Sequence, residues 1–227
     1  MSSTKLVGIL NEASLHKSLK IYLAKPGDVF EQKVDGYLID IVRGDTLIEI
    51  QTANFAMLRK KLSRLLPINK ILLVHPIAQT KWIVRTKKSG KIISRRKSPK
   101  RGRAEHVFSE ILNIPDLISH PNLTLLVVLV ELEEHWRDDG KGSWTRKHWS
   151  IADRVLIEVV SEQEFNSLDD YKQLIPKELA IPFTHKQLAT AINAPVWLST
   201  RMSYCLRKMG CLQTVGKQGR SLLLAPI

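Results

Sequence analysis

A chain of 227 residues has enough material to bury a sizeable core as one large domain or two small ones. Its 35 Lys and Arg against 22 Asp and Glu give a formal charge of +13, which favours a polyanionic partner, nucleic acid ahead of a membrane surface. There is no apolar run of spanning length, no leader-like N-terminus, no zinc spacing and no disulfide framework around Cys205 and Cys211, so a cytoplasmic protein with reduced core cysteines is expected.

In chain order, residues 4–24 read as a helix with Ile9, Ala13, Leu19 and Leu23 on one stripe. Glu12 and His16 interrupt that stripe one turn apart, either as a polar seam or as a contribution to a site. Lys25-Pro26-Gly27-Asp28 ends the helix, Val29 to Val34 reads as a short strand, and Asp35-Gly36 as a turn. The stretch YLIDIVRGDTLIEIQT, residues 37–52, then carries two runs of apolar and β-branched residues around Gly44-Asp45, the signal of a type II′ hairpin. That turn pairs Arg43 with Thr46, Val42 with Leu47, Ile41 with Ile48 and Asp40 with Glu49. One face holds Ile39, Ile41, Ile48 and Ile50 and reads as core. The other sets two carboxylates opposite each other among Leu38, Val42 and Leu47, a destabilising like-charge pair unless a cation lies between them. A hard divalent ion, Mg2+ or Mn2+, suits such oxygen donors; a solvated edge hairpin is the plainer alternative.

Asp, a turn, then Glu-x-Gln on the next strand resembles the PD-(D/E)XK core of restriction-endonuclease-like nucleases. The resemblance implies that Asp40 and Glu49 are metal ligands, with the backbone carbonyl of Ile50 a further one. It implies that Gln51, two after Glu49, positions the attacking water, and that Glu12 is an additional catalytic carboxylate. Gln51 stands where the family usually has Lys, and an amide cannot act as a cationic donor. Asp35 is a rival for the metal Asp, but turn chemistry already accounts for it.

Asn54 reads as the cap of a helix over 55–66, basic on one side through Arg59, Lys60, Lys61 and Arg64, either a solvated face or a phosphate-contacting one. Ile71-Leu72-Leu73-Val74 reads as a buried strand closed by His75. Helix, meander, helix, strand is the nuclease order, so the likeness covers roughly residues 4–80.

A second hairpin is expected over Lys81 to Arg95, and then a basic loop, residues 95–103, in which Arg95, Arg96, Lys97, Lys100, Arg101 and Arg103 are candidate phosphate contacts. Residues 104–112 read as a helix; 123–132 and 155–160 read as strands, with Trp136, Trp144 and Trp149 as packing residues.

Beyond the linker 176–182, Thr184 and Gln187 form a capping box, Pro195 opens a second helix, and Gly210 ends it before a last hairpin. Two helices and a basic two-stranded wing resemble a winged helix-turn-helix, which implies DNA contacts from Arg201, Tyr204 and Arg207 on the helix and from Lys217 and Arg220 on the wing.

The expected fold is therefore α/β with a mixed sheet: a nuclease-like domain over 1–175 with a β-rich extension, and a winged-helix domain over 176–227. The order NEASLH, PGD, DGYLIDIVRGD, LIEIQT, SPKRGR also resembles an uncharacterised bacterial family. The expected activity is metal-dependent DNA cleavage; the alternative is a nuclease-like DNA-binding regulator that has lost cleavage. Positive charge alone does not choose DNA over RNA, and the oligomeric state stays open, a homodimer included.

Overall fold

The computed structural model describes residues 14–87 and 89–227. The fold is mixed α/β around a mixed sheet. Its elements begin with α1 (Ser14–Leu23), β1 (Val29–Val34), β2 (Tyr37–Arg43), β3 (Thr46–Ile50), α2 (Arg59–Leu65), β4 (Lys70–Thr86) and β5 (Ile92–Lys97). The short helices α3 (Phe108–Ile111) and α4 (Pro115–Ile118) precede the long strands β6 (Leu123–Arg137) and β7 (Ser150–Phe165). Then come α5 (Leu168–Lys172), α6 (His185–Ala191), α7 (Val196–Lys208), β8 (Leu212–Gln218) and β9 (Ser221–Pro226). Among the described residues the large sheet runs β1-β2-β3-β4-β6-β7, with β5 also on β4, and β8-β9 form a separate ribbon.

The chain divides into two compact units. One comprises the described residues up to Pro26 with Ala78–Gly102 and Leu129–Ser161; the other comprises Gly27–Ile77, Arg103–Val128 and Glu162–Ile227.

In the second unit three of the four expected hairpin pairs form the ladder, Arg43 with Thr46, Val42 with Leu47 and Ile41 with Ile48, while the expected pair of Asp40 with Glu49 lies beyond it. The positive φ falls on Gly44 (56°), as a type II′ turn requires, where a side chain would be strained. Ile39, Ile41, Ile48 and Ile50 are all buried, so the alternation of apolar residues does define the core face. β3 continues into a parallel pairing with β4, Ile50 beside Val74, a pairing that needs the α2 crossover between them. Leu62 and Leu65 of α2, together with Phe55 and Leu58, join that core.

Three local expectations are corrected. Asn54 does not cap a helix: it sits left-handed at φ 61° with no side-chain cap bond, and a 3-10 turn Phe55–Leu58 precedes α2. The carboxylate of Glu110 accepts from the Phe55 amide at 3.0 Å and does the capping from a distant segment. Residues 104–112 form a 3-10 turn and the four-residue α3 rather than one helix. The basic run is not wholly a loop either, since Arg95, Arg96 and Lys97 lie in β5, exposed along its length and paired with β4. Helix 4–24 is described only as α1, which buries Leu15 and Leu19.

In the first unit Glu134 is nearly buried, and its carboxylate receives Trp136 Nε1 (2.8 Å), Lys81 Nζ (3.4 Å) and Arg154 Nε (3.2 Å). Burial alone would raise its pKa; the indole donor and the two cations outweigh that and hold it lowered. Trp136 is packed as expected, and Trp149 stacks on Arg85 at 5.2 Å, but Trp144 is 82% exposed and packs on little.

Candidate metal and nucleic-acid site

The β2–β3 ladder gives way just where the hairpin's carboxylates begin. Past Ile41 and Ile48, the Ile50 amide donates instead to Asp40 Oδ2 at 2.8 Å. A side chain thus completes the hydrogen bonding of β3, and the Asp40 carboxylate is pinned against the strand that carries Glu49. Two alternate positions of β3, Ile48 and Ile50, anchor in the core, which turns Glu49 to the opposite face.

The like-charge problem has an internal answer. Lys61 of α2 places its Nζ 2.5 Å from Glu49 Oε2 and 2.6 Å from the Leu38 carbonyl. The two side chains are 14% and 12% exposed, so the pair lies in a partly desolvated cleft where charge–charge attraction is stronger than on an open surface. Sequence reasoning treated the four cations of α2 alike. Lys61 was distinguishable only by falling next to Leu62 on the inward side of the helix, and the register linking α2 to β2 was not visible.

Gln51 is held at both ends. Its amide nitrogen donates to the carbonyls of Ala53 and Asn54, the latter at 3.4 Å, and its backbone N–H donates to Val74 at 2.9 Å. Its backbone carbonyl accepts the Nδ1 proton of His75 at 2.7 Å. His75, a residue that by sequence could either cap the core or face the site, is buried in the core, edge-on to the Phe55 ring with centroids 5.0 Å apart. Burial lowers its pKa, against the opposing effects of the Gln51 carbonyl and Glu110. Ile50, whose carbonyl was a candidate ligand, pairs with Val74 with its side chain in the core.

Among the described residues no group of three or more His, Cys, Asp or Glu is placed to hold a metal. The candidate donors are therefore Asp40 and Glu49 with backbone carbonyls. That set fits Mg2+ or Mn2+, which are commonly held by one or two carboxylates with the remaining positions filled by water and substrate phosphate. Glu12 lies outside the described residues. His16 lies on α1 in the first unit, and Asp35 sits in the β1–β2 turn 3.9 Å from Arg64.

The basic candidates divide by engagement. Arg95 stacks over Trp82 at 3.9 Å and pairs with Glu133 at 2.6 Å; Lys97 lies 5.7 Å from the same ring. Arg96, Lys100 and Arg101 are exposed. Arg103 is folded back onto Glu105 (2.6 Å) and the Ile192 carbonyl (2.7 Å), tying together parts of its own unit. Near the C-terminus the expected capping box is present, with Gln187 N donating to Thr184 Oγ1 and Thr184 N donating to Gln187 Oε1. A bridge from Phe183 to Leu224 ties the ribbon to the start of α6. Arg201 crosses Trp197 at 5.0 Å and donates to Ser109, Tyr204 is 36% exposed, and Lys217 and Arg220 are exposed on the ribbon. Arg207 turns toward β8, donating to Thr214 with its Nε buried, and so braces the ribbon. Cys205 and Cys211 are buried free thiols, and burial pushes Cys205 up to about 12, as suits inert core residues. No helix among the described residues is long and apolar enough to cross a membrane.

An uncharacterized protein of Treponema pallidum (strain Nichols) is 32% identical over 219 residues, covering 96% of this chain and 86% of that protein. No solved structure matches. Residues 13–166 match the family described as a domain of unknown function, DUF8091, and with about two thirds of its length inside that match this chain belongs to the DUF8091 family.

Proposed function

We propose that this chain is a metal-dependent DNA phosphodiesterase with a nuclease-like core and a C-terminal winged-helix module over 176–227. One observation carries the proposal: where the β2–β3 ladder gives way, the Asp40 carboxylate takes the amide of Ile50, the residue next to Glu49, and Glu49 in turn meets the Lys61 ammonium. The order α1, β1–β3 meander, α2 and a β4 parallel to β3 supports the likeness to the PD-(D/E)XK core.

Asp40 and Glu49 would hold Mg2+ or Mn2+; such an ion, when bound, offsets phosphate charge and lowers the pKa of water. Lys61, held beside Glu49, would supply the cationic hydrogen-bond donor that Gln51 lacks to a non-bridging phosphate oxygen, where developing charge is greatest. Gln51 commits its NH2 group to Ala53 and Asn54, so the atom it offers to water is its side-chain oxygen. Because His75 holds the Gln51 backbone, the orientation of that oxygen is set from the core. Arg201, Tyr204, Lys217 and Arg220 would grip the DNA backbone in the winged-helix module. A cytoplasmic location follows from the same reading.

A second reading has its own observation. The Lys61 ammonium on Glu49 is already a counter-ion for the carboxylates, as a nuclease-like regulator that binds DNA without cutting would require. Plasmid DNA incubated with Mg2+ or Mn2+ separates the two. Metal-dependent nicking that disappears in Asp40→Ala/Glu49→Ala supports the enzyme. Salt-sensitive binding with no nicking supports the regulator, and an RNA substrate run in parallel tests the choice of nucleic acid.

A further inference from the structure

Next along α2 and β2 from the Lys61–Leu38 contact lies an open groove of about 740 Å3 lined by Asp35, Tyr37, Arg59, Lys60, Ser63 and Arg64 together with Gly36. We infer that this groove is a nucleotide subsite, taking one phosphate and its neighbouring base or sugar from the strand that enters the Asp40–Glu49 cleft. The inference rests on the nuclease reading of that cleft for its direction, and on the groove's own chemistry for its ligand.

Lys60, Ser63 and Arg64 fall at i, i+3 and i+4, so all three share one exposed face of α2. Lys61 is one position further round, where the helix turns inward to Glu49. On the facing strand the same division holds. Tyr37 lines the groove, and the carbonyl of the next residue, Leu38, receives Lys61 Nζ. The groove and the cleft are thus consecutive along both elements that build them, and a chain lying in one is led into the other.

The cations of the groove are not equivalent. Arg59 is spent, with its guanidinium bidentate on Asp116 at 2.8 Å and also on the Asn113 carbonyl at 2.7 Å. Arg64 meets Asp35 no closer than 3.9 Å, and its side chain is 71% exposed, so its guanidinium is only loosely held. Among the described residues no acid pairs with Lys60. A point cation and a forked one, with a serine hydroxyl between, make a phosphate-sized donor set. Tyr37 adds the aromatic surface on which a base or sugar packs regardless of sequence. The Asp35-Gly36 turn, with φ of 48° and 83°, presents the backbone there without a bulky side chain at Gly36.

The test is binding in EDTA, so that cleavage plays no part. Fluorescence anisotropy of a labelled oligonucleotide, single-stranded and duplex, is titrated with wild type, Lys60→Ala/Arg64→Ala, Tyr37→Ala and Tyr37→Phe. A charge-matched control, Lys177→Ala/Lys186→Ala, removes two cations elsewhere in the same unit. The groove predicts a salt slope shallower by about one for each phosphate-bound cation removed. It also predicts roughly ten-fold weaker binding for Tyr37→Ala with Tyr37→Phe near wild type. An equal loss in the charge-matched control overturns the subsite, as does undiminished binding in the groove variants. If binding depends on the groove but Mg2+ and Mn2+ give no cleavage, the subsite stands and the phosphodiesterase reading falls. If a small phosphodiester is hydrolysed in an Asp40- and Glu49-dependent way while groove variants bind nucleic acid normally, the reverse holds.

Discussion

Glu134 and Glu49 are both carboxylates on strands, both withdrawn from water, both met by a lysine, and they differ in the charges gathered around them. Glu134 has an indole and two cations on its two oxygens and a side chain 6% exposed. Glu49 meets Lys61, has an acid of its own sign nearby on β2, and keeps its side chain 12% exposed. The first arrangement resembles a structural knot, where every donor has an acceptor and there is nothing left to do. The second keeps two carboxylates on adjacent strands beside one ammonium, a like-charge cost that packing alone does not require. Sites that do chemistry tend to gather like charges in this way.

Removing each acid should break the comparison in opposite ways. The largest effect is expected at the cleft: Asp40→Ala/Glu49→Ala lowers metal-dependent cleavage roughly a thousand-fold or more, since both anchors of the cation and of the phosphate charge disappear. Its thermal midpoint should fall less than that of Glu134→Ala, because relief of the like-charge crowding offsets part of what the Ile50 amide and the Lys61 ammonium lose. Turnover on plasmid DNA and differential scanning fluorimetry, run on one preparation, check both halves.

Glu134→Ala should do the converse. Lys81 and Arg154 lose their shared acceptor and Trp136 its hydrogen bond, inside a unit with little room for water. Breaking one partner of a buried ionic cluster costs about 3–5 kcal/mol; Lys81 and Arg154 are partly exposed, so about 2–3 kcal/mol is expected here. For a chain of this size that corresponds to a midpoint lower by roughly 5–10 °C. Cleavage per folded molecule, assayed below the transition, should hardly change. A large activity loss at unchanged stability would reverse the roles assigned to the two acids.

Lys61→Met sharpens the picture of the cleft itself. If Lys61 donates to the phosphate, turnover falls by about a hundred-fold while Mn2+ still binds. If Lys61 is a permanent counter-ion, calorimetry shows Mn2+ binding tighter in the variant, since the competing cation is gone. Wild-type turnover in Lys61→Met excludes the donor role.

What could be read in advance follows from which interactions are local. The Ile face of β2 and β3 was legible because a period of two and a two-residue turn fix the register within a dozen residues. The Thr184–Gln187 box was legible for the same reason, three residues apart on one helix start. Lys61 was not, because its meaning depends on where α2 crosses β2, a contact between segments some twenty residues apart. β4 also ran on where a break was expected. The sequence suggests an end at His75, but pairing with β3 ends at Val74, so the missing donor of Pro76 costs no rung on that side. Asn54 misled because the cap that Phe55 needed comes from Glu110, fifty-five residues away.

The smallest effect tests whether the core really orients Gln51. His75 is buried and neutral, and its pKa is below the usual histidine value, first because burial disfavours the cation. A group whose folded pKa is depressed takes up its proton more readily in the unfolded chain, so acid pulls the equilibrium toward unfolding. His75 therefore contributes stability that is present in full above the unfolded-state value of 6.5 and is lost as pH falls below it toward the folded-state pKa. His185 shifts the same way, through burial and then Arg207, so wild type carries two such contributions. Denaturant midpoints measured from pH 7.5 down to pH 5 should fall, and fall less steeply in His75→Gln, which keeps a donor for the Gln51 carbonyl but cannot titrate. If His75→Gln also leaves turnover and its pH profile unaltered, the ring does no more than fill the core. If turnover drops at unchanged stability, the hydrogen bond from His75 sets the angle at which Gln51 meets water.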